Sequence, residues 1–281
     1  MIRNRGLKAT ITATTLFLLV PVLQSCATDA PKSTVDTHLV DVIAGPQRSD
    51  QNRIRDIYRH PYDTLTFFGV RDDMTIVEIN PGSGAWFTEI LAPYLRDHGV
   101  YYAAGPAADD HSAEANYNRQ GFAAKLASDP TIYGKVKVTE FEGDRLDIAP
   151  PGSVDMVLTF RNLHNWIADG TADAALREFY KALKPGGILG IEDHRANPDL
   201  PQDPKAASGY VRQDYAIALV EKAGFKLVAT SEVNANPKDT KDYPAGVWTL
   251  PPTLRLKDQD RAKYVAIGES DRFTLKFVKP Q

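Results

Sequence analysis

The stretch TIVEINPGSGAWFTEIL, Thr75 to Leu91, decides how the rest of the chain reads. A short apolar run with β-branched residues ends at Asn80, a turn follows with Gly82 and Gly84, and a helix pattern begins near Trp86. Such a unit aims backbone N–H groups and the positive end of a helix dipole at a polar or anionic ligand. A tight turn holding no ligand fits a glycine pair equally well. Two ligand classes are excluded directly. The dinucleotide fingerprint needs a third glycine where Phe87 stands and an acid about twenty residues on, where the chain reads VYYAAG. No Gly-Lys-Ser/Thr follows, so the loop is not a phosphate-gripping P-loop.

Outward from this unit, strand and helix patterns alternate. Strands are expected over 75–80, 100–104, 135–141, 154–160, 188–193, 225–233 and 273–278, with helices over 86–96, 113–128, 173–183 and 211–223. This alternation predicts an α/β fold with a mainly parallel, doubly wound sheet covered on both faces. Pro93 falls inside one helix pattern and should kink or shorten it. Residues 48–70 read as short helical segments broken at Pro61, with Ile54, Ile57 and Tyr58 on one face. Residues 234–270 form a long connection, but GVWTLPPTLRL within it favours packing over disorder.

The first 25 residues stand apart. Arg3, Arg5 and Lys8 precede the apolar run ITATTLFLLVPVL, which is shorter than a membrane span and has the layout of an export signal. Leu23-Gln24-Ser25-Cys26 follows, and Cys26 is the only cysteine. A lone cysteine is often a small buried residue. Here its position resembles the lipobox of bacterial lipoproteins, in which the cysteine carries the lipid. That resemblance implies a signal peptide over 1–25, a polar tether over 26–47 and a folded domain over 48–281. It also implies a periplasmic location on a membrane anchor, with Ala27 after the cysteine pointing to the outer rather than the inner membrane. The formal charge is −3, and removing residues 1–25 leaves −6, so no basic excess points to nucleic acid.

Three motifs in order carry a second resemblance. They are Glu78 with Gly82 and Gly84, then GDRLDIAPPGSVDMVLTF (Gly143 to Phe160), then LREFYKALKPGGILGIED (Leu176 to Asp193). Together they resemble the class I S-adenosylmethionine-dependent methyltransferases, closest to a bacterial group of exported predicted methyltransferases. The resemblance implies a Rossmann-like seven-stranded sheet with the last strand antiparallel beside 225–233. It implies S-adenosylmethionine as cofactor, with Glu78, Asn80, Gly82, Gly84, Ala104, Gly105, Asp144, Arg145 and Arg161 around it. Asn80-Pro81 replaces the usual first glycine, and Ala103-Ala104-Gly105 lacks the acid that binds the ribose. His164 and His194, at the ends of two strands, are candidate bases for a small-molecule acceptor. With Asp193 they are also a conceivable metal trio, though no HxH or HxxxH spacing supports one, and no metal is expected. A non-catalytic envelope lipoprotein binding another ligand on this fold is the rival reading.

Overall fold

The period-two pattern of the strands divides their side chains between two hydrophobic layers. In β1 (Thr75–Ile79), Ile76 packs with Met156 and Leu158 in one cluster, while Val77 and Ile79 join Val157 and Ile191 in the other. The computed structural model describes residues 1–2, 35–142 and 145–281. Met1–Val35 forms one unit, in which Met1, Ile2 and Val35 are exposed, and Asp36–Gln281 forms the other. The expected signal peptide, Cys26 and Asp144 lie outside the described residues.

In the second unit, four helices come first: α1 (Thr37–Ala44), α2 (Asp50–Arg53), α3 (Asp56–Arg59) and α4 (Pro61–Phe68). After β1 come α5 (Thr88–Leu95), β2 (Val100–Gly105), α6 (Ala113–Ser128), α7 (Pro130–Tyr133), β3 (Lys137–Glu142) and β4 (Arg145–Asp147). Then follow β5 (Val154–Phe160), α8 (Leu163–Asp169), α9 (Ala172–Ala182), β6 (Leu183–His194), α10 (Gln213–Lys222), β7 (Lys226–Ser231), α11 (Arg261–Ile267) and β8 (Arg272–Val278). Among the described residues no helix is long and apolar enough to cross a membrane.

The sheet runs β4-β3-β2-β1-β5-β6-β8-β7. This is the Rossmann-like doubly wound α/β architecture, parallel from β3 to β6. As expected, the last strand lies antiparallel beside β7; it also inserts beside β6. The sheet has eight strands rather than seven. The extra one, β4, turns back along β3 with Glu142 opposite Arg145 and Glu140 opposite Asp147. Its three residues carry charge at both ends, which suits a short edge strand.

Two local features depart from the sequence pattern. First, α1 forms within 26–47, where a polar tether is expected. The Asp36 carboxylate accepts from Leu39 N at 2.9 Å and from the Tyr94 hydroxyl, and Leu39 is buried. The capping acid and buried Leu39, with Val42 and Ile43 packed beside it, anchor the helix. Second, Pro93 leaves α5 short at eight residues. Proline offers no N–H to the Glu89 carbonyl, and the Gln47 amide donates to it instead at 3.1 Å. Phe87, at the start of α5, stacks on Phe160 of β5 with centroids 3.6 Å apart, fixing the helix to the sheet.

Because Gln47 replaces a bond that proline cannot make, Gln47→Ala should lower the unfolding free energy by about 1–3 kcal/mol. In a Pro93→Ala background, where a backbone N–H is restored, the loss should shrink. Urea denaturation of the four proteins in this cycle measures both values, and an undiminished loss in the alanine background would contradict the assignment.

Candidate active site

The parallel strands deliver polar residues to one edge of the sheet, the edge at their C-terminal ends where open α/β sheets place ligands. Asn80 follows β1, Gly105 ends β2, Glu142 ends β3, Arg161 and Asn162 follow β5, and His194 ends β6. Asn80 is left-handed, with φ 50°, and its N–H continues the ladder to Ala104 O at 2.7 Å. Asparagine tolerates this backbone better than most residues, so the loop turns without its first glycine. Gly82 is also left-handed, with φ 68°. A side chain at Gly84 or Gly105 would meet open space, so the backbone lies bare there. Asn52 of α2 clamps the loop: its amide donates to Gly84 O at 2.9 Å, and its carbonyl accepts from Trp86 Nε1 at 2.9 Å.

Two adjoining cavities, of about 280 and 480 Å³, open beside the loop and share Asn80, Glu114, Phe141, Glu142 and Asn165. Gly82 and Asn162 line the smaller one. Asn162 ties two strand ends together, donating to Ile79 O at 3.0 Å and Thr159 Oγ1 at 3.1 Å. Glu142 reaches across from β3 and accepts from Ala107 N, just past β2, at 3.1 Å. Burial and the neighbouring Asp110 raise its carboxyl above the ordinary range. An acid therefore stands beside the end of β2, although β2 itself supplies none.

A third cavity, of about 450 Å³, shares Glu114 and Asn165 with the first two. Arg161, His164 and His194 line it, together with Arg55 and Arg59 from the N-terminal helices and Trp248 from the 234–270 connection. His164 Nδ1 lies 2.9 Å from Asp193 Oδ1, and the His164 backbone N–H donates to Asp193 Oδ2 at 2.8 Å. A carboxylate only accepts, so Nδ1 carries the hydrogen and Nε2 is left as the basic nitrogen. His194 pairs through Nδ1 with Ser270 Oγ at 2.6 Å. Burial, then the charges of His164, Arg161, Arg272 and Arg59, hold its pKa well below the usual imidazole value. The ligand atoms of His164, Asp193 and His194 lie within 4.8 Å of one another, a spacing a metal can use. Both Asp193 oxygens, however, are already taken by N–H donors from His164 and His194. The trio reads as a hydrogen-bonded dyad with a neutral neighbour.

Not every sequence-selected residue enters the cleft. Glu78 is buried beneath α5, where its carboxylate accepts from Thr88 Oγ1 at 3.2 Å and from the Tyr101 hydroxyl. It lines none of these cavities, so it positions α5 and β2. Ala104 is fully buried in β2. Arg145 sits on the edge strand, paired with Asp109 and, at 3.5 Å, with Glu140. Gly84 faces a separate cavity of about 970 Å³ beside Ile54, Ile57 and Tyr58. Arg161 joins the histidines rather than the loop cavities. Glu142 was missed by the sequence reading, although its place at a strand's C-terminal end was the available signal.

With this geometry in place, residues 81–191 match the family model described as methyltransferase domain. No curated protein matches the chain. Among solved structures, a SAM-dependent methyltransferase from Aquifex aeolicus is similar at 18% identity and TM-score 0.52. The alignment covers 86% of this chain and 98% of that one. The [4+2]-cyclase SpnF is similar at 14% identity and TM-score 0.55, over 88% of this chain and 93% of its own. The fold is that of the S-adenosylmethionine-dependent methyltransferases.

The buried Glu78 gives the fold a pH signature. Burial outweighs the Tyr101 and Thr88 bonds and the Arg161 and Arg59 charges, pushing its carboxyl up to about 7 from 4.5. A raised folded pKa contributes stability in full below the unfolded value and loses it as pH rises through the folded one. From pH 4.5 to 8 the wild type should therefore lose on the order of 3 kcal/mol relative to Glu78→Gln. Denaturant titrations of both proteins across that range measure the difference, and parallel profiles would refute it.

Proposed function

We propose that the protein is an S-adenosylmethionine-dependent methyltransferase acting on a small-molecule acceptor. The observation that carries this reading is the continuity of the cleft. The cavities beside the glycine loop run, through Glu114 and Asn165, into the cavity that holds the His164–Asp193 dyad. The methyltransferase-domain match over 81–191 supports it. The likeness to a cyclase of the same fold shows why the fold alone does not decide the reaction.

The residues present fit the donor. Bare backbone at Gly82 and Gly105 admits close approach, and Asn80, Asn162 and Asn165 offer amide donors and acceptors. The Glu142 carboxylate would accept from the ribose hydroxyls in place of the acid that β2 lacks. S-adenosylmethionine, when bound, supplies an electrophilic methyl group. The chain's own part is to align the acceptor, exclude water and take up a proton. Asp193 fixes the His164 ring and supports positive charge on it, so Nε2 is suited to accept the proton of an acceptor O–H or N–H. His194, held neutral, lines the cavity wall without competing as a base. An enzyme accounts for the retained loop, the relocated acid and the dyad together; a non-catalytic binding role leaves the dyad without a task.

Calorimetric titration with S-adenosylhomocysteine tests the donor site. The wild type should bind, and Glu142→Gln, which keeps the shape and removes the charge, should bind about ten- to a hundredfold more weakly. No binding by the wild type at millimolar concentration would overturn the assignment.

We also propose, from the sequence pattern alone, that the chain belongs with exported methyltransferase-like proteins. Residues 1–25 are removed, and Cys26 carries a lipid that anchors the protein on the periplasmic side, at the outer membrane. Cell fractionation and mass spectrometry of the N-terminus should find lipidated Cys26 in the membrane fraction, and Cys26→Ala should release the protein. An intact Met1 on cytosolic protein would reject this location.

A further inference from the structure

The third cavity carries more positive charge than its own carboxylates neutralise. Arg55, Arg59 and Arg272 all converge on one carboxylate, Glu269, with contacts of 2.6, 3.5 and 3.2 Å. Arg272 also meets Glu192 at 3.0 Å. Burial pushes Glu269 up, but these three guanidiniums overcome it and hold its carboxyl at about 2. Arg161 has no such partner. Among the described residues no carboxylate forms an ion pair with it: Glu192 and Glu269 act on its charge from beyond contact, and its buried Nη1 makes no hydrogen bond. Arg59 is only 2% exposed, and its Nε, 3.5 Å from Glu269, makes no hydrogen bond. The cavity wall itself holds four arginines, Arg55, Arg59, Arg161 and Arg255, against two glutamates, Glu114 and Glu269.

The backbone at Arg161 strengthens the case. Its φ is 61°, a left-handed conformation that a long side chain rarely adopts, imposed by the bond from its N–H to Glu192 O at 2.7 Å. Residues held in such conformations are found more often at functional sites than elsewhere. A guanidinium nitrogen buried without an acceptor is costly in its own right. The cost is offset when an oxygen anion supplies the missing acceptors.

We propose that this cavity binds the acceptor through an oxyanion, a carboxylate or a phosphate. Arg161 and Arg59 grip it, and the nucleophilic O–H or N–H of the same molecule lies at His164. The inference rests on the methyl-transfer reading for the acceptor's role, but the anion site itself stands on the arginines. Trp248, stacked by Arg255 at 4.6 Å, walls the cavity and would cover an apolar part of the acceptor.

The test uses inorganic phosphate and succinate as separate probes on the full chain at constant ionic strength, with chloride as control. Thermal denaturation and calorimetry are read for the wild type and for Arg161→Gln. The wild type should be stabilised by at least one probe beyond chloride, and the probe that acts tells phosphate from carboxylate. In Arg161→Gln the affinity for that probe should fall about ten- to a hundredfold. Without probe, the variant should be at least as stable as the wild type, because burial and the charges of Arg55 and Arg272 outweigh the pull of Glu192 and Glu269 on this guanidinium. A wild type indifferent to both anions, or a variant that keeps the anion response, would overturn the proposal. So would a variant destabilised without probe, since that outcome marks Arg161 as structural. S-adenosylhomocysteine titration of the same two proteins separates the two readings. Donor binding without an anion response rejects only the oxyanion site, and an anion response without donor binding rejects only methyl transfer.

Discussion

One buried carboxylate holds together parts of the chain more than two hundred residues apart. Glu269 takes Arg55 and Arg59 from the N-terminal helices and Arg272 from β8 into a single ion-pair network. Buried charges are tolerated only when paired, and breaking one partner of such a set costs far more than a surface pair is worth. The network therefore fixes where the N-terminal helices sit over the sheet, and with them the wall of the cavity that faces the dyad. It also leaves those arginines committed in unequal degree, which sets the electrostatics of the whole cleft.

The sheet contributes the other half of the arrangement. Five strands end at the same edge, and their last residues differ in chemistry because each faces a different part of the cleft: bare backbone after β1 and at β2, an acid at β3, a guanidinium after β5, an imidazole at β6. The division of labour follows from the alternation of side chains. Residues pointing into the two layers build the core, and only those at or just past the strand ends escape it. Glu78 illustrates the rule. One residue before the end of β1, it shares the Ile76 face and is trapped beneath α5 rather than presented to a ligand.

Much of this was legible in the sequence, and the exceptions have physical causes. The strand–loop–helix unit and the mainly parallel sheet follow from periodicity, and the antiparallel last strand is what the family resemblance implies. Asn80, Gly82, Arg161, His164 and His194 were all placed at the cleft because strand ends can be read from apolar runs. Glu78 occupies the motif's acid position, but its parity with Ile76 turns it under α5 instead of into the cleft. Glu142 was overlooked because the Gly-Asp after it drew the reading. The Glu269 network was invisible: Arg55 and Glu269 are 214 positions apart, and no local pattern links them. Helix α1 spans only eight residues, too few for its apolar pattern to stand out from the polar stretch around it.

The place of β8 in the sheet has a consequence for how the chain reaches this state. It is the last strand along the chain, yet it lies between β6 and β7 and supplies the ladder to both. Until residues 272–278 have been synthesised, β6 has an open edge and β7 has no neighbour. Glu269 and Arg272, which close the network over the cleft, arrive in the same final segment. Non-local pairing of this kind delays folding, because loop closure must precede the contacts that reward it. The nascent chain thus remains without its completed sheet, and without the carboxylate that gathers the arginines over the cleft, until its end is made.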